Sequence, residues 1–295
     1  MTTIAHAGRQ RRAHARPSRR DPFAATPLTK AALLFTIFLS VFPLYWMVVI
    51  ASRTTAQAVD VPPPLLPGGN LGENIARVFA TEDAHFVTGM TNSLIVSSTV
   101  TLSVVAISTL AGFAFARLRF RGRKLLLGSI LLTMMVPIQQ MGIVPLYQLM
   151  VNLEWTGTLQ AVILPFLLNG FGVFLMTQYT EQAVPMELVE AARVDGASTM
   201  RIYWNVVLPA VRPGMAVLAL QTFMLNWNEF MWPLIVLTPD NPTVQTSIAF
   251  LTGQHTTDYA LIFTGTALSV LPLLVVFIVF GRQIVGGLME GAVKA

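Results

Sequence analysis

The stretch "ELVEAARVDGASTMRIYWNVVLPAVRPG", residues 187–214, lies between two long apolar segments and matches neither. It carries both charge signs, a central Gly196 and two prolines, Pro209 and Pro213, so it is not a membrane span. Pro185 suits the first turn of a helix, where its missing N–H costs nothing. Glu187 and Glu190 follow in the first turns, where carboxylates favour the positive end of the helix dipole. Val184, Leu188, Ala191 and Ala192 recur at helical spacing as one stripe, and its alanines admit another surface closely. Gly196 can end this helix in the left-handed conformation, and Ser198 can cap a second one. The second segment places Ile202, Tyr203, Val206 and Val207 on one side before Leu208–Pro209 stops it. The stretch thus predicts a short helix, a glycine corner and another short helix. That shape has two uses: an interfacial linker between spans, or a docking element for a partner outside the bilayer.

The surrounding chain sets the fold class. It is 54% hydrophobic and 11% charged, with mean hydropathy +0.63, whereas a soluble domain is roughly 25% charged. Six uncharged stretches are long enough to cross as helices: Ala31–Ser52, Asn92–Ala116, Leu125–Leu149, Leu159–Thr180, Gly214–Leu237 and Ala260–Gly281. Periodicity cannot separate helix from strand in such uniform runs, but length can. Only helices and closed barrels satisfy the backbone in lipid, and no alternating segments of about ten residues suggest a barrel. The prediction is an all-α integral membrane protein with six transmembrane helices and a cytoplasmic helix-Gly-helix element within the loop 181–213.

Orientation follows from the cations. With the N-terminus inside, all of the 19 Lys and Arg except Arg53 and Arg77 fall on the cytoplasmic side, which the positive-inside rule requires. Residues 1–30 read as a basic, disordered cytoplasmic tail, and residues 31–295 as one six-helix transmembrane domain. "TAQA" at 55–58 has the small-x-small look of a cleavage site, but the apolar run before it exceeds the roughly 7–15 residues of a signal-peptide core, so a retained first span is predicted. On the other side, residues 53–91 contain "VPPPLLPGG" (61–69), which favours extended backbone, and 238–259 contain "VQTSIAFL", which suits a turn or two of helix.

The chemistry these residues exclude is as useful. There is no cysteine, so disulfides and thiolate chemistry are ruled out. His6, His14, His85 and His255 are scattered and predict no metal cluster. The arginines flank apolar runs rather than alternating with aromatics, which points to lipid headgroups instead of nucleic acid.

Within the assigned spans, Glu229 is the one acidic or basic residue, and an intramembrane charge is a functional candidate by default. Thr222, Asn226 and Glu229 recur at i, i+4 and i+7 on one face of the fifth span, where they could line a polar cavity. Equally, Glu229 could snorkel or tie neighbouring helices together. Gln139, Gln140 and Asn169 lie near Pro137 and Pro165, and prolines in spans mark bends beside cavities. Phe171 and Phe174 are aromatic neighbours that suit core or lipid more than a stacking platform.

Glu190-Ala191-Ala192, three residues, Gly196, nine residues, then Val206-x-Leu208-Pro209 resembles the EAA signature of ABC-importer permeases. Isoleucine is usual where Val206 stands. Asp195–Ser198 resembles the carbohydrate-uptake branch, and "WNEFMWPLIVL" (227–237) and "IVGGLMEGAVKA" (284–295) are similar to the maltose-type second permease. The resemblance covers nearly everything after Pro27. It implies that Glu190, Ala191, Ala192, Asp195, Gly196, Leu208 and Pro209 couple the spans to a separate ATP-binding subunit. Glu190 would pair with a base there, and the C-terminal tail would reach the same subunit. It further implies a transport subunit rather than an enzyme, with no cofactor of its own, ATP and Mg being held by the partner. Two ATP-binding subunits, a second and different permease, and an extracytoplasmic solute-binding protein meeting the 238–259 and 53–91 loops complete the assembly, in the cell membrane with both termini cytoplasmic. The implied cargo is a sugar or oligosaccharide. Rivals are a polyol or glycerol phosphodiester permease, an ion-coupled secondary carrier, and a scaffold. Secondary carriers need ion-binding groups and often show repeated halves, and this chain offers one carboxylate and no repeat.

Overall fold

The computed structural model describes residues 26–135, 142–252 and 257–293, with side chains as far as Val279. Most of the basic tail, together with Pro137, Gln139, Gln140 and His255, lies outside the described residues. The chain divides into two units, Met1–Tyr45 and Trp46–Ala295. The described part of the first is the opening of helix α1 (Pro27–Ala51), which tolerates Pro43 within its length.

Among its described residues the second unit has helices and connecting loops but no strand. In order come α2 (Leu71–Ala80), α3 (Phe86–Arg117), α4 (Arg123–Met135), α5 (Ile143–Asn152), α6 (Leu159–Ile163), α7 (Gly170–Ala183), α8 (Met186–Val194), α9 (Thr199–Ala210), α10 (Arg212–Trp227), α11 (Met231–Val236), α12 (Val244–Phe250) and α13 (Tyr259–Val293). Among the described residues four helices can cross a membrane by length and composition: Pro27–Ala51, Glu82–Arg117, Leu159–Ala183 and Tyr259–Val279. A fifth arises if α9 and α10, bent by 75° at their junction, count as one. The four correspond to the first, second, fourth and sixth predicted spans, the fourth being interrupted between α6 and α7 at Leu167–Asn169. The predicted third span, Leu125–Leu149, includes residues outside the description, and α4 and α5 flank them.

Two expectations are corrected. The fifth span is not one helix from Gly214 to Leu237, because the chain breaks at Asn228–Phe230 between α10 and α11. The Asn226 and Asn228 amides turn back to donate to Thr222 O and Met224 O, both at 2.8 Å, which favours local turns over continued helix. Nor does Leu208–Pro209 stop the second short helix. Backbone helicity runs through a π-turn at Tyr203–Val207 and on to Ala210, with Pro209 in a first turn where it loses no bond.

α3 is the central post, packing most extensively against α7 and α10. Small residues permit this, as they do between helices in lipid, where apolar area alone gives no drive. A Cβ on Gly112 would stand 2.7 Å from Met176 backbone carbon, and one on Gly214 would stand 2.7 Å from the Tyr179 ring. A buried Thr109–Tyr203 hydroxyl contact of 2.9 Å ties α3 to α9.

The two loops at the Phe86 end of α3 are folded. Residues 53–91 are pinned by the Asn74 amide, which donates to Ala51 O and Arg53 O at 2.8 Å, and by Arg53, which donates to Leu66 O at 2.7 Å. In "VQTSIAFL", where one or two turns of structure are expected, α12 forms, started by a Thr243–Thr246 capping box. Asn92 donates to Asn241 Oδ1 and Pro242 O at 2.8 Å, and Ser93 Oγ accepts the Val244 N–H at 2.9 Å, which seats this loop on α3. At the start of α13, Asp258 accepts from Arg77, from Thr55 Oγ1 at 2.7 Å and from the Leu261 N–H at 3.1 Å. Burial pushes this carboxyl up, but the Thr55, Arg77 and Leu261 hydrogen bonds and the Arg77 charge outweigh it and hold the pKa below the ordinary 3.8.

Replacing Gly112 by Ala should lower the melting temperature of the purified protein by the equivalent of about 1–3 kcal/mol, since the obstructing atoms are backbone. Gly128→Ala, where a Cβ meets nothing within 4 Å, should be neutral or slightly stabilising in the same scan. D258N should also lower the melting temperature at neutral pH. Because the folded pKa is depressed, the stabilisation is complete above the unfolded value and disappears as pH falls through the folded one. The wild-type advantage should therefore hold down to about pH 4 and close below it.

Candidate functional site

The helix-Gly-helix element forms as its sequence dictates. α8 ends where Gly196 takes φ +77°, and the N–H groups of Asp195, Gly196 and Ala197 bond to the carbonyls of Ala191, Arg193 and Ala192 at 2.9–3.0 Å. Ser198 Oγ then accepts the Arg201 N–H at 3.3 Å and caps α9. The inward face is Val189, Ile202, Tyr203 and Val207, all buried. The expected stripe of Val184, Leu188, Ala191 and Ala192 divides: Val184 is buried and Ala192 half-buried, whereas Leu188 and Ala191 face out. Glu190, Asp195, Gly196 and Pro209 are exposed and Leu208 is half-buried. Between α8 and α9 runs a shallow groove that includes Ala192, Asp195, Ala197, Arg201 and Val206. Sequence reasoning missed the outward apolar residues Val194, Met200 and Trp204, which are 88%, 54% and 59% exposed. Their signal was an apolar side chain standing on the charged side of each helix.

The α3 end nearest this element is tied to α7. Arg117 donates to Glu181 O at 2.6 Å, and Arg123 meets the Glu181 carboxylate at 3.4 Å.

The second site is a cavity of about 250 Å³ between α3, α6, α7 and α10. Four of the polar candidates line it: Asn169, Thr222, Asn226 and Glu229. Thr222 and Asn226 lie on α10 as expected, but Glu229 sits in the break that follows, not on the same helix face. Asn169 also occupies a break, after the 3₁₀ turn Leu164–Phe166, and its Oδ1 caps α7 through the Gly172 N–H at 2.6 Å. Glu229 Oε1 accepts the Trp232 N–H at 3.2 Å at the start of α11. The broken segment is anchored by two buried indoles. Trp227 Nε1 donates to Ser269 O at 3.1 Å, and Trp232 Nε1 donates to Ala161 O at 3.0 Å. Phe171 lines the cavity; Phe174 is not among the lining residues. Ser93, Phe166, Gln221 and Thr243 line it too and were missed, although Thr243 opens a T-x-x-T capping pattern that the sequence displays.

With this geometry in place, comparisons with known proteins are informative. Residues 105–287 match the family described as binding-protein-dependent transport system inner membrane component. The lactose transport system permease protein of Rhizobium radiobacter is 35% identical, the alignment covering 90% of this chain and 94% of that protein. The sn-glycerol-3-phosphate transport system permease protein of Escherichia coli O1:K1 is 32% identical over 90% of this chain and 96% of that protein. Among solved structures, a chain of a bacterial ABC transporter involved in import of the acidic polysaccharide alginate shares the fold, with a TM-score of 0.73 at 21% identity. That match covers 86% of this chain and 95% of the other.

Proposed function

The chain belongs to the family of binding-protein-dependent transport system inner membrane components, and from that premise we propose that it carries a sugar or oligosaccharide, handed over by an extracytoplasmic binding protein, across the membrane. It is a permease of an ABC importer, a transport component rather than an enzyme. In this reading a second, different permease completes the path, and two separate subunits bind and hydrolyse ATP. The 238–259 and 53–91 loops receive the binding protein, and both termini lie in the cytoplasm. The lactose permease among the relatives favours a sugar. The second reading is a polyol or glycerol phosphodiester, and the relative named for sn-glycerol-3-phosphate, a phosphorylated glycerol, keeps a solute of that kind open.

The observation that carries the coupling role is the mixed outer face of the helix-Gly-helix element. At 100° per residue, Leu188, Ala191 and Val194 share their side of α8 with Glu187 and Glu190. A helix lying on lipid separates its apolar face from its charges. A protein partner accepts them mixed, apolar side chains filling its pockets and carboxylates meeting its cations. Glu190 pairs with a base on the ATP-binding subunit, Ala191 and Ala192 allow close approach, and Asp195, Gly196, Leu208 and Pro209 fix the corner and the exit of the pair. The path itself follows the cavity of Asn169, Thr222, Asn226 and Glu229, with Gln139 as a further candidate outside the described residues.

The test is Gly196→Pro, which forces φ near −65° where the native value is +77°. Co-purification of the ATP-binding subunits and uptake of the sugar held by the cognate binding protein should both be lost, while the permease still inserts. Gly196→Ala should weaken both only partly, at about 1–2 kcal/mol for a left-handed alanine. Full recruitment and uptake in the proline variant would overturn the assignment.

A further inference from the structure

The cavity between α3, α6, α7 and α10 has a charge character that its size and position alone do not reveal. Its lining includes hydroxyls and amides from Ser93, Asn169, Gln221, Thr222, Asn226 and Thr243, and one formal charge, the Glu229 carboxylate. Among the described lining residues there is no Lys, Arg or His to balance it. One Glu229 oxygen is spent on the Trp232 N–H, and the other has no hydrogen-bond partner among the described residues. The N-terminus of α7 opens on the same space and contributes a partial positive end of about half a charge, already capped by the Asn169 oxygen. A full negative charge at close range exceeds it, and inside a low-dielectric wall the difference is felt across the whole cavity.

We infer that Glu229 makes this cavity electronegative and so selects against anionic solutes: the ligand class that fits is an uncharged polyhydroxyl compound, its hydroxyls donating to Glu229 and exchanging bonds with Asn226, Thr222 and Asn169. Phosphate- and carboxylate-bearing solutes meet repulsion with no cation among the described lining residues to offset it. The inference rests on the reading of this cavity as part of the transport path. Of the solutes left open above it sets aside the glycerol phosphodiester and keeps the uncharged sugar and polyol.

The experiment measures the field directly and does not need the solute. This chain has no cysteine, so Asn226→Cys places its one thiol in the cavity, read by mass spectrometry of this subunit in the assembled importer in nanodiscs at low ionic strength. The probes are cationic trimethylammonium-ethyl and anionic sulfonatoethyl methanethiosulfonate, with each rate divided by that on a free thiol. The normalised cation-to-anion ratio should be about fivefold above one. Adding E229Q, which keeps an oxygen for the Trp232 N–H, should bring it to one or below, and E229K should invert it. Only complexes that co-purify intact are scored. A ratio near one, or one that E229Q leaves unchanged, overturns the selectivity while leaving the path reading standing. If neither reagent modifies the introduced cavity thiol while a Val61→Cys control, at a position 94% exposed in the outer loop, reacts readily, the cavity is closed to water and the path reading falls with the inference.

Discussion

Inside a bilayer every backbone N–H and C=O needs a partner from the protein, because lipid offers none. A helix meets that demand by itself, and a broken helix does not. Among the described residues two apolar runs break, at Leu167–Asn169 and at Asn228–Phe230, and in each a side chain at the break takes up a freed donor. Asn169 Oδ1 accepts the Gly172 N–H, and Glu229 Oε1 accepts the Trp232 N–H. Both breaks open on the same cavity. The polar atoms that make it suitable for a hydrated solute are therefore the ones that make irregular backbone tolerable there. Substituting them alters the walls of the cavity and the helices that form them together.

The packing around these breaks is stiff where the cavity needs walls. Gly112 lets α3 meet the α7 backbone, and the indoles of Trp227 and Trp232 hold each side of the second break to a different neighbour, α13 and α6. The helix between the two proposed sites is α10, whose 16 residues make a rod of about 24 Å. It starts one residue after α9 and ends at the break beside the cavity. In the proposed coupling, α10 and the 75° bend at its base link α8 and α9 to the cavity wall at Thr222 and Asn226.

Much of this was legible in the sequence, and the exceptions share a physical cause. Gly196 and Ser198 announced the corner and the cap because those positions need a left-handed backbone and a side-chain oxygen, which few residue types supply. Thr222, Asn226, Glu229 and Asn169 stood out because polar groups in apolar runs carry a cost that demands a use. The breaks were invisible because hydropathy sees composition, and "NWNEFMWPLIVL" is apolar on average whether the helix is whole or interrupted. The division of the α8 stripe was missed for a related reason. Periodicity identifies an apolar face, but it cannot say whether that face meets this chain or another.

Glu229 shows why a membrane protein would place its lone intramembrane carboxylate at a break rather than within a helix. In mid-helix all nearby backbone N–H groups are already used, so the charge would face hydrocarbon unpartnered at a cost of several kcal/mol. At the start of α11 the first N–H groups are free, and the helix dipole favours a negative charge beside them. The break thus lowers the cost of holding the charge, and the charge satisfies part of the break. What remains is a carboxylate in the lining of the cavity with one oxygen spent on the Trp232 N–H, and its field acts on whatever enters. A glutamine could cap the helix equally well, so the cap explains a polar residue at this position but not a charged one, and the negative field is what glutamate adds.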